Sequence, residues 1–166
     1  MMPAREFAGT PRPPEHPPEA KLYPGVRFTE LTDLRGEKGN SSYLGMGLSA
    51  RFSRHFALHV DALRESGSGA FTQGPDVVLL TLGGEMYSDF LGGGRRKFLN
   101  PYLGYALGYA RFTGNNDAVI GISAGLEIWK TKNIVIDAEV RGMGLLFGSD
   151  GSHAAVQPVL GASIAF

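Results

Sequence analysis

The sequence predicts an all-β fold, an eight-stranded antiparallel up-and-down transmembrane β-barrel with a disordered N-terminal tail. Three observations predict it. Past residue 21 no segment sustains a 3.6-residue apolar period, while period-2 alternation recurs to the end of the chain. The alternating runs are separated by turn residues, with no crossover helix between them. Glycine stands at 24 of 166 residues, about twice its usual share, and falls mainly on one face of the alternation and in the separators.

The runs, taken in order, begin with 22–32, whose central charge is Arg27. Run 42–52 sets Gly45, Gly47, Ser49 and Arg51 on one face, and run 55–65 carries His59 and Asp61 two residues apart. Run 76–87 has Thr81, Gly83 and Glu85, and run 100–111 has Gly104, Ala106 and Gly108. Run 118–129 is the clearest: Ala118, Ile120, Ile122, Ala124, Leu126 and Ile128 oppose Val119, Gly121, Ser123, Gly125, Glu127 and Trp129. Run 133–145 sets Ile134, Ile136, Ala138 and Val140 against Asp137, Glu139 and Arg141. Run 155–166 sets Val156, Pro158, Leu160, Ala162, Ile164 and Phe166 against Gln157, Gly161 and Ser163. The separators are Asp33 to Asn40, Ser53-Arg54, Gly67 to Gly74, Gly92-Gly93-Gly94, Gly114-Asn115-Asn116, Thr131-Lys132 and Gly148 to Gly151. Residues 22–166 thus form the barrel and 1–21 a Pro-rich tail, which holds six of the ten prolines. Extended as polyproline II at roughly 3.1 Å per residue, such a tail reaches about 60 Å.

Composition removes several classes. The absence of Cys excludes disulfide scaffolds, Cys-ligated zinc, iron–sulfur clusters and thiol nucleophiles. Sixteen basic and sixteen acidic residues cancel, which argues against a nucleic-acid partner. No run approaches a transmembrane helix, and the N-terminus lacks the apolar core of a secretory signal.

The polar face decides which side is inside. A water-facing sheet carries Lys, Glu, Thr and Gln, whereas here Gly, Ser and Ala dominate with a few mid-strand charges, which suits a crowded lumen. The apolar face is almost free of charge at strand centres, as lipid contact requires. With the C-terminus in the periplasm, Tyr23, Phe52, Phe56, Tyr87, Tyr102, Trp129 and Phe166 fall at one level, as a periplasmic aromatic girdle. Tyr43, Tyr109, Phe112 and Phe147 fall at the other. The connection near residues 88–99 is long for a periplasmic turn.

In these features residues 22–166 resemble the small eight-stranded outer-membrane barrels of Gram-negative bacteria, the group of the OmpA membrane domain and OmpX. The most specific piece is the terminus, Leu160-Gly161-Ala162-Ser163-Ile164-Ala165-Phe166, where Gly161, Ile164 and Phe166 match the group's assembly signal and Leu160 occupies a usually polar position. The resemblance implies location in the bacterial outer membrane and recognition by the barrel-assembly machinery.

For chemistry, the lumen face collects Arg27, Arg51, Arg141 and His59 against Asp61, Glu85, Glu127, Asp137 and Glu139. Buried charges persist only when paired, so an ion-pair network filling the interior is expected. With five acids against three arginines, some carboxylate is expected to hold a proton or to need water or a cation. Arg54, Arg95, Arg96, Lys97, Lys130 and Lys132 make the periplasmic turns basic, suited to anionic lipid headgroups or an acidic partner. Gly92 to Lys97 lacks the Gly-Lys-Ser/Thr ending of a phosphate loop. Asp150, Ser152 and His153 have hydrolase residue types without oriented spacing. Loop residues Arg35, Lys38, Phe71 and Phe147, or the N-terminal tail, are candidates for contact with lipopolysaccharide or a protein partner.

The expected function is a structural or partner-interaction protein of the outer membrane with a closed lumen, not an enzyme, with no cofactor and no metal. The alternatives are a narrow channel for small or apolar molecules, a lipid-modifying enzyme, and a soluble calycin-type binder.

Overall fold

The computed structural model describes residues 21–34, 40–66, 78–88, 90, 94–112, 115–146 and 153–165. The tail up to residue 20, loop residues Arg35, Lys38, Phe71, Phe147, Asp150 and Ser152, and Phe166 of the terminal motif lie outside the described residues. Eight strands follow in chain order: β1 (Lys21–Asp33), β2 (Asn40–Arg51), β3 (Phe56–Glu65), β4 (Val78–Tyr87), β5 (Phe98–Phe112), β6 (Asn115–Lys130), β7 (Ile134–Leu146) and β8 (His153–Ile164). Each pairs antiparallel with its sequence neighbours, and β8 returns to β1, closing the barrel and leaving no free edge. Lys21, Ile164 and the connections after β2, β4 and β6 share one end, called the terminal mouth. The other end is the loop mouth.

Short side chains set the tight turns at the terminal mouth. Ser53 Oγ accepts hydrogen bonds from the backbone N–H groups of His55 and Phe56, each at 3.1 Å. Thr131 Oγ1 accepts from Ile134 N at 2.9 Å. Each hydroxyl satisfies amides that the reversing chain takes out of the ladder.

The barrel is inverted relative to a water-soluble one. Val26, Met46, Val60, Leu82, Leu103, Ile122, Val140 and Leu160 all point outward, with exposures from 42% for Val60 to 75% for Ile122. Arg27, Asp61, Glu85, Glu127, Asp137, Glu139 and Arg141 are buried inside.

A β-bulge breaks the alternation of β6. Glu127 pairs with Asp137, but Trp129 then pairs with Ile136, so Ile128 is an extra residue. Simple alternation puts Trp129 on the lumen face; the bulge turns it to the outward face and brings Lys130 inward. At the β1–β8 seam the ladder is interrupted. Thr29 pairs with Val159 and Thr32 with Val156, in one constant register, but Glu30 and Leu31 are not paired across the seam. Pro158, which has no N–H to give, sits in this gap, and its carbonyl accepts from Thr29 Oγ1 at 2.5 Å.

The aromatic girdle needs correction. Tyr23, Tyr87 and Tyr102 are 8%, 5% and 4% exposed and face the lumen. They share strand parity with Arg27, Glu85 and Gly104, and parity, not level along the barrel, decides which way a side chain points. Tyr43 of the opposite level is likewise fully buried inside. Phe52 and Phe98 are exposed at the terminal mouth, and Tyr105 and Tyr109 are exposed on β5. Phe56 and Trp129 are half-buried. The side chain of Phe112 lies outside the described residues.

Candidate functional site: a stratified lumen

Nearest the terminal mouth, the lumen is organised by Glu127 on β6. Its Oε1 accepts from Arg51 Nη2 at 2.5 Å and Tyr87 Oη at 3.0 Å, and its Oε2 from Asn100 Nδ2 at 3.0 Å and Lys130 Nζ at 3.2 Å. Donors from β2, β4, β5 and β6 therefore converge on one buried carboxylate. Arg51 also lies over the Tyr87 ring at 4.4 Å, and that ring packs on Tyr102 with centroids 5.4 Å apart. Tyr87 Oη further bonds Glu85 at 2.7 Å, linking this level to the next.

The middle level is a chain of charges. Arg27 on β1 donates to Asp137 on β7 at 2.7 Å and lies 3.4 Å from Asp61 on β3. Arg141 on β7 donates to Asp61 at 2.7 Å and to Glu139 at 3.0 Å. His59 Nδ1 stands 3.5 Å from Glu85 Oε1. The structure thus brings all nine lumen groups named from the sequence into two joined levels, with Lys130 added. Lys130 makes a fourth permanent cation against the five acids.

Glycine makes the room. A Cβ at Gly47 would lie 2.6 Å from Asp61 Oδ1 and 2.9 Å from Arg27 Nε, and one at Gly161 would overlap the Arg27 guanidinium. Gly161 thus has a packing reason of its own, besides its place in the terminal motif. Ile164 of that motif points outward and is 54% exposed.

The loop half of the lumen holds an apolar cluster among buried polar side chains that include Ser41, Thr81, Asp117 and Gln157. Leu31, Tyr43, Leu63, Leu79, Ala110, Val119, Met143, Leu145 and Ala155 form one buried cluster. This corrects the expectation of a small, polar interior throughout: in the loop half large apolar side chains, Leu31, Leu63, Leu79, Met143 and Leu145 among them, share the interior with the polar ones. Between the two ionic levels lies a cavity of about 30 Å³, bordered by Arg27, Arg51, Glu85, Glu127 and Asp137. That is space for about one or two waters.

The basic turns also divide. Arg95, Arg96, Lys97 and Lys132 are exposed at the terminal mouth. Lys130 is instead drawn inward, its side chain 15% exposed, because the bulge reverses its facing and Glu127 accepts it. Residues 94–97, just before β5, lie against the mouth. Gly94, with φ of 68°, packs against Tyr87, and its carbonyl accepts from Lys130 Nζ at 3.1 Å. Asn100 clamps the same connection: its Oδ1 accepts from Arg96 N at 2.9 Å, and its Nδ2 donates to Arg96 O at 2.7 Å. Sequence reasoning missed Asn100, although its even spacing from Tyr102 and Gly104 placed it on the lumen face.

No protein-family model matches the sequence, and no curated protein does. Solved structures do match. The N-terminal β-barrel domain of Pseudomonas aeruginosa OprF superposes with a TM-score of 0.60 at 14% identity, covering 89% of this chain and 100% of that one. The fold is that of small outer-membrane barrels. Neisserial surface protein A (NspA) gives a TM-score of 0.55 at 15% identity, covering 88% of this chain and 95% of that one. The outer membrane protein OprG from Pseudomonas aeruginosa gives 0.53 at 13%, covering 89% and 96%. At these identities the likeness concerns architecture.

Proposed function

We propose that this protein is an integral outer-membrane barrel with a closed lumen, acting as a structural or partner-interaction protein and not as an enzyme. The observation that carries the reading is the inversion of polarity: apolar side chains around the outside, ion pairs within. Only a lipid surround makes that distribution favourable, since exposed Leu, Ile, Val and Met on every strand would drive aggregation in water. The apolar cluster from Leu31 to Ala155 supports closure, because it packs much of the loop half of the lumen, and the polar side chains set among it, Ser41, Thr81, Asp117 and Gln157, are themselves buried.

At the loop end, Arg64 on β3 and Arg111 on β5 are exposed on the outward face, and both pair with Val78 between them. Adjacent strands lie about 4.8 Å apart, so the two guanidinium groups rise from positions about 10 Å apart. They suit the phosphates of lipopolysaccharide in an outer leaflet. In the same orientation the terminal mouth faces the periplasm, and the Gly161–Phe166 motif would be read by the assembly machinery.

Planar-bilayer recording tests the closure. The refolded protein should show no steady conductance. A steady, solute-dependent current that Glu127→Gln alters would instead establish the narrow-channel reading. A monodisperse monomer in buffer without detergent would refute both in favour of a soluble binder.

A further inference from the structure

We propose that the terminal mouth is a binding site for a phosphate group. A cavity of about 250 Å³ opens there, and Lys21, Arg51, Arg54 and Lys130 all border it, with Ser53 and the Gly94 backbone between them. Among the described residues no acidic side chain lines it. The carboxylate beneath, Glu127, is 3% exposed and already accepts from four donors, so it answers part of the charge of Arg51 and Lys130 and none of that of Lys21 and Arg54. Like charges gathered in a concave, low-dielectric mouth focus a positive potential into it.

The donors are held in place. Arg51 is fixed by stacking on Tyr87 and by bonds to Glu127 and to Gly94 O. Lys130 is fixed by Glu127 and the same carbonyl. Arg54 borders the cavity while its Nε donates to His55 Nε2 at 2.6 Å. Ser53 Oγ accepts two backbone N–H groups, so its own hydrogen is available to donate. Forked guanidinium groups, compact ammonium groups and a hydroxyl, arriving from several directions, match a tetrahedral oxyanion better than a planar carboxylate. The phosphate could be free in solution or belong to a phospholipid headgroup at the adjoining membrane surface; only the second source rests on the membrane reading above.

The full chain, refolded in a phosphate-free maltoside detergent, is titrated with inorganic phosphate while the arginine side-chain N–H resonances are followed by NMR. A saturable shift is expected, absent with chloride at equal ionic strength. The double variant Lys21→Gln/Arg54→Gln, whose side chains lie outside the Glu127 network, should weaken binding by about tenfold or more, the loss of a single charge-assisted hydrogen bond. Its unchanged heat-modifiable migration would show that it still folds. In a second arm, native mass spectrometry looks for phosphatidylglycerol retained by the wild type and released by inorganic phosphate. Retention identifies a headgroup source; saturable phosphate binding without retention identifies a soluble one. A linear, non-saturating response of the wild type in the first arm and no retained lipid in the second would overturn the site.

Discussion

Arg141 Nη2 and Asp61 Oδ2 meet at 2.7 Å although their strands, β7 and β3, stand opposite one another in the closed ring of eight. Asp61 also lies 3.4 Å from Arg27, so one carboxylate ties three strands together across the diameter. Its neutral amide analogue would leave two buried guanidinium groups short of charge. Asp61→Asn should destabilise the barrel by about 3–5 kcal/mol, the usual cost of breaking a buried pair from one side. Urea unfolding in lipid vesicles checks this, and a loss below about 1 kcal/mol, the range of exposed pairs, would show the network to be dispensable.

Gly47 and Gly161 border Arg27 so closely that a methyl group cannot be added to either without displacing it. Gly47→Ala and Gly161→Ala should each cost about 1–3 kcal/mol, as overpacking does. Gly142 supplies the control, because a Cβ there meets nothing within 4 Å. Refolding of the purified chain without assembly factors separates this packing role of Gly161 from recognition: a Gly161→Ala barrel as stable as Gly142→Ala would assign the residue to assembly alone.

Ile122 points outward from the middle of β6 with 75% of its surface exposed. In a bilayer, Ile122→Arg should cost about 2–4 kcal/mol, the penalty for a cation near the midplane of the lipid face. The fold equilibrium measured in vesicles reads it directly. A neutral effect would place this surface in water.

Trp129 is the one tryptophan of the chain, and the bulge turns it toward the surround at the terminal end. Its emission should be blue-shifted on folding into vesicles and quenched more strongly by lipids brominated near the headgroup than by those brominated deep in the chain. Equal quenching at both depths would refute an interfacial position.

Much of this architecture was legible two residues at a time. Period-2 runs locate every strand to within a few residues, and the charges between Ile134 and Val140 declare their side without ambiguity, because Asp137 and Glu139 cannot face lipid. The less legible parts have physical reasons. Alternation puts Trp129 on the lumen face and composition puts Lys130 in a basic turn, and both depart from that because a bulge inserts one residue with no composition of its own. Tyr23, Tyr87 and Tyr102 were assigned to a girdle because an amphipathic ring suits an interface and a polar interior equally well; only parity distinguishes them. The apolar cluster of the loop half is less legible because Leu31, Leu63, Leu79 and Leu145 sit on the face that carries charge elsewhere in the same strands. An average over that face conceals a change of character along its length. That nine ionisable groups share one lumen follows from alternation, but which pairs with which depends on strand tilt and side-chain reach, and pattern holds neither.

The gap at Pro158 gives the barrel a calendar. Joining β1 to β8 unites segments from the two ends of the chain, so it is the costliest closure to begin. Its continuous stitches run from Gly25 to Thr29, beside the ionic levels, and beyond them two positions carry no ladder before pairing resumes at Thr32 and Asp33. The seam is thus knit tightly where the ion pairs must be sealed and loosely farther along, where Leu31 and the uncharged Gln157 face inward. Should the finished barrel breathe, amide exchange would report it first along Glu30 and Leu31.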